Sequence, residues 1–171
     1  MSCKKINPQE IGGNVFDMIG EKWMLITAAK KDKTFNTMTA SWGGMGIMWG
    51  KPVASCVIRP VRYTYGFMEE AEYFSLTFFS EKYRDVLGML GTKSGRNIDK
   101  IKESGLTPAS DTETQATFFE EAELTIICRK IYYQDINPAN FIDETIDKAN
   151  YPKKDYHRMY FGEIVNCLVK E

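Results

Sequence analysis

FNTMTASWGG, residues 35–44, decides how the chain is read. At strand period Phe35, Thr37, Thr39 and Ser41 fall on one face, while Asn36, Met38, Ala40 and Trp42 fall on the other. One side of a strand thus carries three hydroxyls in a row, and a glycine pair follows at once. Two readings of that row stand open. It is the polar face of an ordinary edge strand, since Thr is a common strand former, or it is a line of hydrogen-bonding groups held against a ligand.

Working outward, Lys22 to Ala29 (KWMLITAA) is rich in strand formers and is separated from FNTMTASW by the polar turn KKDKT, which predicts a hairpin. Gly43, Gly44, Gly46 and Gly50 mark a loop, after which PVASCVIRP is a short apolar run suited to a doubly buried strand. Pro60 holds Arg59 extended and ends that ladder. Thr64 is the candidate N-cap of a short helix over YGFMEEA, and EYFSLTFF alternates as a strand. Ser80 is placed to cap a helix through EKYRDVLGML, in which Tyr83, Val86, Leu87 and Leu90 share a face. A second helical piece around NIDKIKE stops at Gly105, and Leu106 to Gln115 reads as loop. AELTIICRKIYYQDI and YHRMYFGEIVNCLVK close the chain as long strands, with NPANF and a short helix, DETIDKA, between them. Six or so strands in hairpin succession, with few crossover helices, predict a mainly β antiparallel barrel.

Composition removes several function classes. The 171 residues suit one domain, residues 1–171, with no Pro/Gly/Ser linker between two cores. Lys and Arg number 22 against 23 Asp and Glu, so the basic field that nucleic acid demands is missing. Cys3, Cys56, Cys128 and Cys167 are scattered singly, without zinc or dithiol spacing, and read as reduced, buried thiols. With one histidine, His157, no histidine-rich metal centre is expected. No apolar run reaches the length of a membrane helix, and Met1 to Lys5 is not followed by an apolar signal segment; a cytoplasmic protein is the expectation. GGMG at 43–46 is not G-x-G-x-x-G, Met45 stands where a P-loop needs its first glycine, and no G-x-S-x-G occurs. The acidic pairs Glu120/Glu121 and Asp143/Glu144 read as solvated surface.

Two further segments bear on the hydroxyl row. RPVRYT at 59–64 places two arginines and a threonine after a buried strand, where guanidinium forks and a hydroxyl suit a phosphate. TKSGRNIDK at 92–100 is a hydroxyl, glycine and cation cluster leading into a helix, again suited to an anion. Taken with N-T-M-T-A-S-W at 36–42 and H-R-M-Y-F-G-E-I at 157–164, these motifs resemble the flavin reductase-like family of FMN-binding split-barrel proteins, which includes the flavoredoxins. The resemblance runs from about Trp23 to Val165, in the family's order and spacing.

The resemblance implies a six-stranded antiparallel Greek-key split barrel with flanking short helices, a homodimer, and non-covalent FMN near the subunit interface. On that reading Asn36, Thr37, Met38, Thr39, Ala40, Ser41 and Trp42 run beside the flavin, and Ser55, Cys56 and Val57 abut its ring system. Arg59 and Thr64 would take the phosphate, while Ser94, Gly95 and Lys100 close over the cofactor. Family flavin reductases often carry an Asp-His pair near the nicotinamide pocket; here Tyr156 precedes His157 and Asp155 is displaced by one. For His157 a nicotinamide-pocket role and a structural role both stand, and Trp42 and Trp49 read first as core or interface packing residues, with stacking near a ring as the alternative. The implied activity is an NAD(P)H:flavin oxidoreductase passing hydride or electrons from NAD(P)H through flavin to an acceptor, with a redox-partner protein among the partners the resemblance allows. The alternatives are a tightly FMN-loaded electron carrier and a non-catalytic flavin-binding or redox-sensing module.

Overall fold

The structure is a computed structural model that describes residues 3–171. Its strands are β1 (Cys3–Ile6), β2 (Met24–Ala29), β3 (Phe35–Ala40), β4 (Gly43–Met48), β5 (Lys51–Ile58), β6 (Tyr73–Phe78), β7 (Pro108–Ser110), β8 (Thr117–Phe119), β9 (Leu124–Asp135) and β10 (Arg158–Lys170). The helices are α1 (Tyr63–Glu70), α2 (Arg84–Thr92), α3 (Lys100–Ser104) and α4 (Glu144–Asn150). Antiparallel pairing runs in the order β3, β2, β6, β9, β10, β5, β4, with β1 added beside β10. The two ends of that path, β3 and β4, are joined through Ser41 and Trp42 alone. The sheet therefore curls until its ends meet, as a barrel does.

All six predicted strands form, as β2, β3, β5, β6, β9 and β10. The predicted strand count is nevertheless low. The glycine segment read as a loop is β4, paired with β5 from Gly43 opposite Cys56 to Met48 opposite Lys51. A Cβ on Gly43 would lie 2.4 Å from the Ser55 carbonyl oxygen, so glycine is what lets this strand close onto its neighbour. Within the predicted loop 106–115, β7 pairs with β8. Thr64 is not an N-cap: Arg62 holds that position without a side-chain cap bond, and Thr64 lies inside α1 as an acceptor for Asn36. Ser80 precedes a 3₁₀ turn, Glu81–Tyr83, and makes no cap hydrogen bond. The caps of α3 and α4 are Asp99 and Asp143, neither singled out in the sequence: Asp99 accepts from the Ile101 and Lys102 N–H groups and Asp143 from that of Thr145, while Gly105 (φ 67°) ends α3 as expected.

Alternation along β2 divides the interior in two. Met24 and Ile26 enter the barrel core with Phe74, Met68, Ile126 and Tyr160, while Leu25 faces Phe79, Leu87, Leu90 and Phe119 beneath α2. β3 is thus wedged between the barrel and α2, which fixes its height and tilt. It also ends the sheet path, pairing with β2 alone, so the backbone of its other edge has no strand partner. Among the described residues no helix is long and apolar enough to cross a membrane.

Candidate flavin site

Two clefts of about 190 Å³ each meet at Arg62. The first is lined by Met38 to Trp42, with Val57, Arg59 and His157 opposite. The second is bounded by Asn36, Thr64, Ser94, Arg96 and Lys100. β3 runs past both, so the free edge of one strand connects a cleft walled by backbone, Met38, Val57 and Trp42 to one walled by cations.

The cationic end is built on the C-terminus of α2. Arg62 Nη2 donates to the Gly91 carbonyl at 2.7 Å, and Lys100 Nζ donates to the Leu90 carbonyl at 2.7 Å and to the Thr37 carbonyl at 2.8 Å. These carbonyls of the last turn have no helical N–H partner and carry the negative end of the helix dipole, which explains why cations collect there. A helix end supplies about half a negative charge. Arg62, Arg96 and Lys100 bring three positive ones, and among the described residues none of the three has a carboxylate within ion-pair distance. The balance is a positive hollow. Lys100, only 4% exposed, is pushed down to about 8 by burial and then by Arg62. An ammonium has three donors; two are spent on carbonyls, and the third is left for the cleft that Lys100 lines. Arg96 lies over the Tyr63 ring at 4.9 Å and donates to the Val61 carbonyl.

Gly95 seals the hollow against β3. A Cβ there would sit 2.4 Å from Asn36 Oδ1 and 3.0 Å from the Tyr63 ring, so only glycine lets the Ser94–Arg96 turn come this close. Asn36 is oriented in turn by donating from Nδ2 to Thr64 Oγ1 at 2.7 Å.

The family model for the flavin reductase like domain matches residues 17–171. The chain belongs to the flavin reductase-like family. No curated protein matches it. Among solved structures, it resembles the flavoredoxin of Desulfovibrio vulgaris (Miyazaki F) at 24% identity, with 87% of this chain and 69% of that one covered and a TM-score of 0.68. The flavoredoxin of Methanosarcina acetivorans is 20% identical over 95% and 75% of the two chains, with a TM-score of 0.69. The FMN-binding protein of Thermus thermophilus, solved with p-hydroxybenzaldehyde, is 19% identical over 95% and 81%, with a TM-score of 0.68. At these identities the likeness is one of fold.

In this flavin reductase-like chain the expected site residues divide into those that line the clefts and those that do not. Asn36, Met38, Thr39, Ala40, Ser41, Trp42, Val57, Arg59, Thr64, Ser94, Lys100 and His157 border one cleft or the other, and Gly95 abuts Asn36. Thr37, Ser55 and Cys56 border neither. Thr37 is 0% exposed, and its hydroxyl is spent on the Thr27 hydroxyl (2.9 Å) and the Ile26 carbonyl (3.3 Å). Thr39 Oγ1 donates to the Leu87 carbonyl of α2 at 2.5 Å. The two threonines of the hydroxyl row therefore tie β3 to its neighbours, while Ser41, beyond the end of β3, borders the first cleft. Cys56 lies in the core, where burial pushes its thiol up to about 12, and Ser55 faces Gly44 across the β4–β5 ladder.

Arg59 is engaged elsewhere than the phosphate role predicts. Its Nη1 pairs with Asp155 at 2.8 Å, its Nη2 donates to the Asn150 carbonyl at 2.8 Å, and it borders the cleft opposite to that of Thr64. The arginine at the cationic hollow is Arg62, three residues on, joined by Arg96; the motif RPVRYT contained both arginines, but only their spatial partners distinguish them. His157 does reach the first cleft. Its ring lies 5.1 Å from that of Trp42, and burial, with Arg59 behind it, holds it down to about 4, so the imidazole is neutral near pH 7.

Proposed function

We propose that residues 1–171 act as one domain that binds FMN non-covalently along β3 and moves electrons from NAD(P)H to an acceptor. The observation that carries this reading is the positive hollow of Arg62, Arg96 and Lys100, open to a second cleft along a strand edge, in a chain whose family is flavin reductase-like. The donor set fits a phosphate: two guanidinium forks, one ammonium hydrogen and the Ser94 hydroxyl. Asn36 and the Gly95 turn fit the approach of a sugar-like chain, and the unpaired edge of Met38 to Trp42 offers alternating N–H and C=O groups to the polar rim of a flat ring. FMN, when bound, supplies the two-electron chemistry. The chain's own task is to bind, orient and exclude water, and no general base is needed for it. Neutral His157 and Trp42 bound the space left for a second planar molecule, the nicotinamide of NAD(P)H or an acceptor.

A homodimer accompanies this reading. Trp49 is 59% exposed and stacks edge-on with Tyr132 and Phe161, at 5.9 and 6.2 Å, on the outer face that continues from Val57 and Met159. Exposed aromatic clusters of this kind mark association surfaces. The first experiment is the visible spectrum of purified protein, with mass identification of what heat releases and one anaerobic addition of NADH. A yellow protein that releases FMN and bleaches supports the reductase. Yellow without bleaching supports an electron carrier fed by a partner protein. A colourless protein that binds no added FMN overturns the reading.

A further inference from the structure

We propose that Tyr151 is a positioning residue of this site: its buried hydroxyl donates to Nδ1 of His157, fixes the Nε2–H tautomer, and so presents a neutral N–H donor to a carbonyl or amide oxygen of the second molecule in the cleft. The donor's destination rests on the flavin reading above; the tautomer does not.

Tyr151 follows α4 and is 2% exposed. Its hydroxyl lies 2.8 Å from His157 Nδ1. A buried hydroxyl hydrogen needs an acceptor, and the imidazole nitrogen is the partner in reach; accepting there puts the ring's single proton on Nε2. Nε2 has no hydrogen-bond partner within the described residues and is not enclosed, since it is absent from the buried unsatisfied atoms while His157 lines the cleft.

The tyrosine is itself held. The Arg59 guanidinium stands 5.2 Å over its ring while bonding the Asn150 carbonyl just before it, and the Tyr156 ring packs at 4.8 Å. Arg59 thus clamps the end of α4 to the sheet. Asp155, the carboxylate nearest in sequence, gives its bonded oxygen to Arg59 and leaves the imidazole to Tyr151. The charged groups acting on His157 are Arg59 and Arg62, which disfavour its cation, and Asp155, which favours it. Burial and the two arginines outweigh Asp155 and keep the ring neutral through the neutral pH range, so it serves as a fixed donor and does not shuttle a proton.

His157 is the one histidine of the chain, so ¹⁵N resonances of histidine-labelled protein report it without assignment. Wild type is expected to show the Nε2–H tautomer, unchanged from pH 8 to about 5. Tyr151→Phe, which keeps the ring and its packing, is expected to mix the tautomers and raise the midpoint. With NADH as substrate, the same variant is expected to raise KM about tenfold, the effect of one lost hydrogen bond, with a smaller change in kcat. In a His157→Gln background, where an amide N–H needs no tautomer, Tyr151→Phe should change KM no further. An Nδ1–H tautomer or a charged imidazole at pH 7 in wild type overturns the proposal, whether or not Tyr151→Phe folds. So does an unchanged KM in a folded Tyr151→Phe. A correct tautomer in a protein that binds no flavin would leave the tyrosine pairing standing and remove only the functional reading.

Discussion

Lys100 and the arginines around it show how placement gives a residue its chemistry. Lys100 and Lys130 each spend two ammonium hydrogens on carbonyls, but Lys100 does so beside Arg62 at the rim of the cationic cleft. Replacing Arg62 by Ala is expected to weaken FMN by roughly 10- to 100-fold, corresponding to about 1.5–3 kcal/mol for a charge-assisted contact. Riboflavin, which lacks the phosphate, should bind the variant nearly as well as wild type, and flavin fluorescence quenching measures both. Arg59→Ala is expected to affect the two ligands equally, because its partners are Asp155 and Asn150. The lowered Lys100 value fixes the sign of a pH effect. Ligand-free folded protein sheds this proton near pH 8, whereas the unfolded chain keeps it to about 10.4, so the unfolded state binds more protons in between and stability rises with pH across that window. An anion favours the protonated form. FMN affinity should therefore be highest below pH 8 and fall above it, with riboflavin affinity flat; a parallel fall for both would remove Lys100 from the phosphate end.

At the scale of elements, the join between β3 and β4 decides whether a curled sheet becomes a barrel with a cleft at its seam. Gly43 starts β4 against the Ser55 carbonyl, with Met24 Cε 3.2 Å from where a Cβ would be. Backbone cannot yield as a flexible side chain can. Gly43→Ala is expected to cost about 1–3 kcal/mol in chemical denaturation, the range of an overpacked interior, and to loosen flavin binding because Ser41 and Trp42 lie immediately before it. The helices were legible where the signal is local. Gly105, read as the stop of the second helical piece, ends α3 in the left-handed region, whereas the carboxylates that cap α3 and α4, Asp99 and Asp143, were not singled out in the sequence. Thr64 misled for a matching reason: a threonine before a helical run has the composition of a cap, but its hydroxyl found Asn36 across the fold. β4 was illegible because strand propensity is poor in GGMGIM, and its ladder with β5 is a tertiary gain.

The whole molecule carries an aromatic face that a single copy leaves in water. Trp49, Tyr132 and Phe161 pack on one another there, and Trp49 occupies a positive-φ turn position (53°), so its large side chain is present despite the backbone preference for a small one. Light scattering is expected to give a dimer for wild type. Trp49→Glu should weaken dimerisation at least ~10-fold, the scale of one aromatic anchor in an interface. A wild-type protein that is monomeric with flavin bound would contradict the dimer, and an unchanged dimer in the variant would move the interface to another face.

What the sequence by itself determined was what short-range chemistry encodes: six strands by alternation, apolar runs and strand-former content, one helix stop by glycine, the family by four motifs, and the segments that surround the clefts. Which atoms of those segments do the work was decided only in three dimensions. The Thr37 and Thr39 hydroxyls turned inward because β3 is wedged between β2 and α2, where a buried hydroxyl must find a partner. Arg59, read as a phosphate ligand, meets Asp155, while Arg62, not singled out in the sequence, meets the end of α2 beside the cationic hollow. Tyr151 meets the His157 imidazole with nothing in its sequence neighbourhood to announce it. Periodicity and capping act over a few residues, whereas hydrogen-bond partners and charge balance are settled between segments tens of residues apart, by a barrel that closes only once every strand is in place.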